Sequence, residues 1–277
     1  MDYTDLCTLC SNEESAIEFC LEKGLLFSNI CIYCADEMYR NKYNSAKTGF
    51  IYYCKTCNKR ISPCDSTWFL SNKLSFGQNL KFLHLWASDH SILQKVHHLR
   101  LSKRVVNQLH CFREICLWKL SSLEGRIGGP GIFIEIDESY FFKRKNHVGR
   151  LLGSSWVFGA VERNDISRAI MIIVPDRKRN TLLPIIQNHI EPGYNGLEEA
   201  GYTHLTVCHR RNFVNPQNRD AHTQAIENLW RWAKSRVKTT TTDADHKILR
   251  MAEFLWRRRY PNAFENIINH IADSYFD

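Results

Sequence analysis

The sequence predicts an α/β protein: a short antiparallel meander followed by helices, with a metal-binding module ahead of it. Residues 132–137 (Ile-Phe-Ile-Glu-Ile-Asp) alternate as a half-buried strand, and Trp156–Glu162 and Ala169–Val174 are β-branched and aromatic runs joined by the turn Arg163-Asn164-Asp165. Residues 181–190 and 222–237 carry helical periodicity, the second with Ile226, Leu229, Trp230 and Ala233 on its apolar face. Of three Cys-x-x-Cys pairs upstream of all of these, two fall at a metal-site spacing.

Those two are Cys31/Cys34 and Cys54/Cys57, with nineteen residues between them. That spacing fits a four-thiolate zinc site, in which each knuckle turns two sulfurs toward one point and a hairpin brings the knuckles together. Residues 49–53 read as the strand entering the second knuckle. Four thiolates leave no open coordination position, so the predicted zinc is structural. Cys7, Cys10 and Cys20 form either a partial second site or a set of free buried thiols.

Residues 75–90 have helical periodicity, with Phe76, Leu80, Leu83 and Trp86 or Ala87 on one face. Ser102 is an N-cap candidate for a further helix that begins Lys103-Arg104 and runs through Phe112 and Cys116. Basic residues at the start of a short helix suit a helix-turn-helix reader of the major groove. An ordinary helical linker accounts for the same pattern. His84, His90, His97, His98 and His110 read as packed or solvated residues.

The Gly-rich run from Gly125 to Gly131 separates this region from the core. No Gly-Lys-Ser/Thr follows it, so it is not a phosphate loop. After the meander and the first helix, residues 204–208 read as another strand ahead of the helix at 222–237. The order β-β-β-α-β-α is the ribonuclease-H-like arrangement, which brings acids on the first strand and last helix to one sheet edge. Those acids are Asp137 and Glu227, ninety residues apart, with Lys234 seven residues past the Glu. The predicted organisation is an N-terminal extension over 1–30, a zinc ribbon over 31–64, a helical region over 71–122 and the core over 130–277.

Net charge is +8 and 44% of the residues are apolar, so a basic chain has the means to bury a core. The basic residues cluster at Lys143-Arg144-Lys145, Arg177-Lys178-Arg179, Arg210-Arg211 and Arg257-Arg258-Arg259, which favours a polyanionic partner. No apolar run of about 18 residues suggests a membrane span, and the start Met-Asp-Tyr-Thr-Asp does not read as a secretory leader. Eleven cysteines in such a chain read as reduced thiols and metal ligands.

Several stretches, in order, resemble the Merlin-type DDE transposases and their ISXO-like insertion-sequence relatives. They are Ser66-Thr67-Trp68-Phe69, Ile136-Asp137-Glu138-Ser139, Val157-Phe158-Gly159, Leu182-Leu183-Pro184, Glu191-Pro192-Gly193, Gly201-Tyr202-Thr203-His204, Asn212-Phe213-Val214, His222-Thr223-Gln224-Ala225-Ile226-Glu227 and Phe254-Leu255-Trp256-Arg257-Arg258. The resemblance implies DNA strand cleavage and transfer with Mg²⁺ or Mn²⁺. It makes Asp137 the first catalytic acid, Glu227 the last and Lys234 an accessory residue on the same side. It also implies element terminal repeats and target DNA as partners, assembly as a homo-oligomer, and a place in the nucleus of a eukaryote or with the nucleoid of a bacterium. Lys103, Arg104, Lys143, Arg144 and Lys145 are the expected DNA contacts.

One departure stands out. In that family the Pro-Gly turn is followed by a strand ending in Ser-Asp, whereas here Gly193 runs into Tyr194-Asn195-Gly196. About ten residues are missing, one strand's worth at ~3.3 Å per residue, and the middle catalytic Asp goes with them. Asp165, Asp176, Glu198 and Glu199 are poor replacements. Two-metal cleavage places its ions about 3.5–4 Å apart, and two carboxylates do not hold such a pair. The expectation is a transposase impaired in cleavage or, as the alternative, a non-catalytic DNA-binding protein. Loss of the strand further predicts that 132–137 pairs directly with 204–208, since an empty slot would bury unpaired backbone.

Overall fold

The computed structural model describes residues 1–70, 73–108, 112–123, 125–141, 156–192, 214–215, 218–237 and 244–275. The chain divides into two compact units, one of residues 1–115 with 262–277 and one of residues 116–261.

The first unit opens with α1 (Tyr3–Leu9) and α2 (Glu13–Glu22), neither of which the cysteine pattern announces. Their starts are set by Asp2 and Asn12, whose side chains accept the amides of Asp5 and Glu14. The three-stranded antiparallel ribbon follows as β1 (Tyr39–Lys42), β2 (Phe50–Tyr53) and β3 (Arg60–Ile61). Then come α3 (Phe76–Ala87), α4 (Ile92–Leu99), α5 (Lys103–Gln108) and α6 (Phe112–Ser121), within which the division between units falls. Ser75 with Gln78 and Ser91 with Gln94 form reciprocal capping boxes at the starts of α3 and α4. Phe76, Leu80, Leu83 and Trp86 are buried, as the periodicity of 75–90 predicts. Glu13 reaches from α2 to the amides of Phe76 and Gly77 at 2.6 and 3.3 Å, closing the start of α3. The chain's last helix, Ala263–Asp273, belongs to this unit and buries Ile267, Ile268 and Ile271.

The second unit is layered. After β4 (Ile127–Gly128), the strands β5 (Ile134–Tyr140), β6 (Trp156–Glu162) and β7 (Ala169–Val174) form an antiparallel sheet in the order β5-β6-β7. Two of the three match the predicted limits. The first runs from Ile134 to Tyr140 rather than over 132–137, because Ile132 and Phe133 are exposed beyond the Gly131 turn while pairing with β6 continues to Trp156, so Asp137 stands mid-strand. Next come α7 (Arg179–His189), β8 (Ile190–Glu191), β9 (Val214–Asn215), β10 (Asn218–His222), α8 (Gln224–Arg236) and α9 (Ala244–Arg259). Alternation of side chains gives the sheet two apolar faces. Phe158, Ala160 and Val174 pack on one face with Leu182, Ile185 and Ile186 of α7. Val157, Val161 and Met171 pack on the other with Ile226, Leu229 and Trp230 of α8 and Phe254 of α9. Helices therefore cover both faces of the sheet.

Among the described residues β5 pairs only with β6. The expected strand at 204–208 and its pairing with β5 lie outside the described residues, as does the junction after Gly193. Among the described residues no helix is long and apolar enough to cross a membrane.

The register pairs Asp137 with Gly159 across β5 and β6, both on the α8 face. A Cβ built on Gly159 would stand 2.6 Å from Cζ2 of Trp230, closer still to Cη2, and 3.2 Å from Ile226 Cδ1. The indole lies on bare backbone, and a methyl group there forces the helix outward. Gly159→Ala is expected to destabilise the second unit by about 1–3 kcal/mol through overpacking, measured by denaturant unfolding; an unchanged midpoint would show that α8 yields freely.

Candidate functional site: a carboxylate seam between strand and helix

β5 places Glu135, Asp137 and Ser139 on the side facing α8, because a strand's side chains alternate. Glu135 is buried, with 3% of its surface exposed. Its carboxylate accepts the amides of Ala225 and Ile226, in the first turn of α8, at 2.7 and 3.0 Å. Arg163 Nε lies 3.1 Å from Oε1 and His222 Nδ1 also 3.1 Å from it. Thr223, the N-cap residue of α8, makes no capping bond of its own. Glu135 supplies that function from another element, and the helix dipole favours an anion at this end.

Two residues along β5, Asp137 meets α8 one turn later. Trp230 Nε1 donates to Asp137 Oδ2 at 3.0 Å. Among the described residues Oδ1 of Asp137 receives no hydrogen bond. Glu227 sits on α8 between the amides held by Glu135 and the indole held by Asp137, and Thr223 Oγ1 donates to its Oε1 at 3.1 Å. Lys234 lies on the same stripe of α8 as Glu227 and Trp230, at spacings of three and four residues. Its ammonium stands 5.6 Å over the Phe141 ring, which meets the Trp230 ring edge-on at 5.5 Å. Asp137 and Glu227 thus occupy adjoining positions of one strand–helix seam, with Lys234 further along it. Their oxygen donors suit a hard divalent cation, and two carboxylates suit one ion better than a pair.

Three other described acids of this unit lie away from the seam. Glu138 points to the opposite face of the sheet, where burial and then Asp137 push its carboxyl upward and Arg177 opposes them. Asp165 accepts from Ser167 in the β6–β7 turn. Asp176 accepts the Lys178 amide and the Thr181 hydroxyl ahead of α7, and the Thr181 bond leads in holding its carboxyl below the usual range. Glu198 and Glu199 lie outside the described residues.

In the first unit, Cys31, Cys34, Cys54 and Cys57 bring their sulfurs within 4.8 Å of one another. The Cys31–Cys57 and Cys34–Cys54 sulfur pairs are 3.5 and 3.4 Å apart. A tetrahedron with Zn–S of about 2.3 Å needs ~3.8 Å, so a small outward shift admits the ion. Both knuckles share one turn: the residue after the second cysteine, Ala35 or Asn58, is left-handed, at φ 60° and 56°. The Cys57 amide is foremost in lowering the Cys54 thiol to about 7, toward the thiolate that binds metal. The four sulfurs could bind zinc. Cys7, Cys10 and Cys20 are free thiols; burial raises Cys10 to about 11 and Cys20 further, which leaves them protonated.

Lys103 and Arg104 are exposed at the start of α5, while Lys143, Arg144 and Lys145 lie outside the described residues. Two other basic residues serve the fold: Arg257 pairs with Glu253, and Arg258 donates to the Ile166 carbonyl.

Sequence reasoning points to Asp137, Glu227 and Lys234 and passes over Glu135 and Trp230. A period-2 reading puts Glu135 on the face of Asp137, and a three-residue step puts Trp230 on the stripe of Glu227. Both signals exist, yet a buried acid on a strand and a Trp on an apolar helix face each have commoner explanations.

Removing a buried, multiply bonded carboxylate leaves charge and amides unpaired. Glu135→Ala is expected to cost about 3–5 kcal/mol, and Asp137→Ala about 1–3 kcal/mol through the stranded indole N–H. Asp137→Asn retains an acceptor and should cost less than Asp137→Ala. Denaturant titration checks the order, and an Asp137→Ala protein as stable as the parent would show that the indole bond contributes nothing. For the ribbon, metal analysis of the purified chain should give one zinc, released by Cys54→Ser with loss of ribbon structure; a metal-free, folded chain would overturn that assignment.

Residues 123–259 match the family described as ISXO2-like transposase domain. No curated protein and no solved structure matches the chain. The strand–helix seam lies within the matched residues, and residues 123–259 belong to the ISXO2-like DDE transposase domain family.

Proposed function

We propose that this is a transposase-derived DNA-binding protein that keeps two of the three acids of strand cleavage and is impaired in cleavage itself. The fastening of α8 to β5 supports this reading, since it sets Glu227 and Asp137 on one seam. In this reading Asp137 and Glu227 hold a single Mg²⁺ or Mn²⁺, which would supply Lewis-acid polarisation of a phosphate oxygen. Lys234 contributes a cation toward the same phosphate. The missing third carboxylate leaves the second ion unsupported, and Asp176, tied to Thr181 and Lys178, does not replace it. The zinc ribbon and the helical region with Lys103 and Arg104 engage DNA together with Lys143, Arg144 and Lys145. A wholly non-catalytic, domesticated DNA-binding protein is the second reading, favoured by the same missing strand.

Binding and nicking of supercoiled plasmid by the full chain test the proposal. If the five named basic residues all meet phosphates, affinity should fall by about two to three orders of magnitude between about 50 and about 200 mM salt. Lys103→Ala with Arg104→Ala should flatten the salt slope by about two. Binding indifferent to salt would contradict the DNA assignment. Nicking with Mg²⁺ or Mn²⁺ should stay at background. Robust nicking abolished by Asp137→Asn would refute the impairment and require a surrogate acid.

A further inference from the structure

We propose that Trp230 is a positioning residue for the metal-facing acid: its indole N–H holds Asp137 so that one carboxylate oxygen is fixed and the other is presented to a cation. This inference rests on the reading of Asp137 as a metal ligand. Three observations carry it.

The bond is directional. Indole nitrogen is a donor only, so the 3.0 Å contact from Nε1 assigns Oδ2 of Asp137 to acceptance from Trp230. Oδ1 receives no hydrogen bond among the described residues and is the oxygen left for a ligand bond. Carboxylates that ligate metals are held in this way by hydrogen-bonding partners behind them.

The donor cannot swing. Trp230 is 6% exposed, its ring lies directly on the Gly159 backbone, and Phe141 meets it edge-on at 5.5 Å. Gly159 is the cross-strand partner of Asp137, so the glycine that makes room for the ring lies beside the acid the ring holds. A donor set before metal arrives loses little freedom when it arrives.

The placement is more than packing requires. Leu229 and Ala233 fill the same core from α8 and carry no polar atom. Burial and the contact with Gly159 involve the ring carbons of Trp230, so packing leaves the N–H that meets Asp137 unexplained.

The test isolates that N–H. The full chain with β-(3-benzothienyl)alanine at position 230 keeps the bicyclic ring and exchanges the N–H for sulfur, and Trp230→Phe is the coarser companion. Mn²⁺ affinity is read by the electron paramagnetic resonance of free Mn²⁺, with no DNA present and with the unfolding midpoint measured alongside. Asp137→Asn and Glu227→Gln are the reference variants. The expected result is loss of the Mn²⁺ site in both references and a roughly tenfold weaker site in the benzothienyl protein, the scale of a lost partner behind a ligand, at nearly parental stability. Parental Mn²⁺ affinity in the benzothienyl protein, with the site lost in Asp137→Asn, overturns the role of Trp230 alone. Mn²⁺ binding unmoved by Asp137→Asn overturns the metal reading and this inference together.

Discussion

A single buried carboxylate organises the second unit. Glu135 would be costly to bury alone, by several kcal/mol even after relaxation. It is stable because the amides at the start of α8 and the guanidinium of Arg163 converge on it. The dependence is mutual, since α8 has no capping side chain of its own. That exchange sets where the helix begins and which residues it lays on the sheet. Ile226, Leu229 and Trp230 reach the core only in this register, and Glu227 and Lys234 follow from it. In the first unit Glu13 also reaches a helix start from another element, there adding to the capping box that α3 already has.

The two faces of the sheet differ in what they tolerate. Beneath α7 the contacts are aliphatic and aromatic, and volume-conserving changes there should be accommodated. Beneath α8 an acid, an indole and a glycine share one spot, so chemistry and packing cannot vary independently. A substitution of Asp137 intended to probe catalysis also strips a buried N–H of its partner. Comparing Asn and Ala at that position separates the two effects, because Asn can still accept.

Much of the architecture was legible in the residues. Trp156–Glu162 and Ala169–Val174 are rich in β-branched and aromatic residues and joined by a turn, and the structure gives them those limits. Ser75 and Gln78 announce the start of α3 before any tertiary contact is considered. The four ribbon cysteines are legible because thiolate coordination demands their spacing. The first two helices are harder to see, since a Cys-x-x-Cys within Tyr3–Leu9 and its cap suggests a knuckle where the structure has a helix. Glu135 is hardest of all: its partners lie up to ninety-one positions away, and no local pattern encodes a cap supplied at that distance.

The last helix has a consequence for synthesis. Residues 262–277 complete the unit that residues 1–115 begin. Tyr275 accepts the Trp68 amide at 3.1 Å, and Phe264 packs on His84. The ribbon-bearing unit therefore cannot finish folding as it leaves the ribosome. At about 5–20 residues per second, the 146 residues of the second unit hold it incomplete for roughly 7–30 s, with the side of α3 at His84 uncovered. The transposase domain, contiguous in sequence, closes first. During that interval residues 1–115 wait for residues 262–277 with apolar surface uncovered.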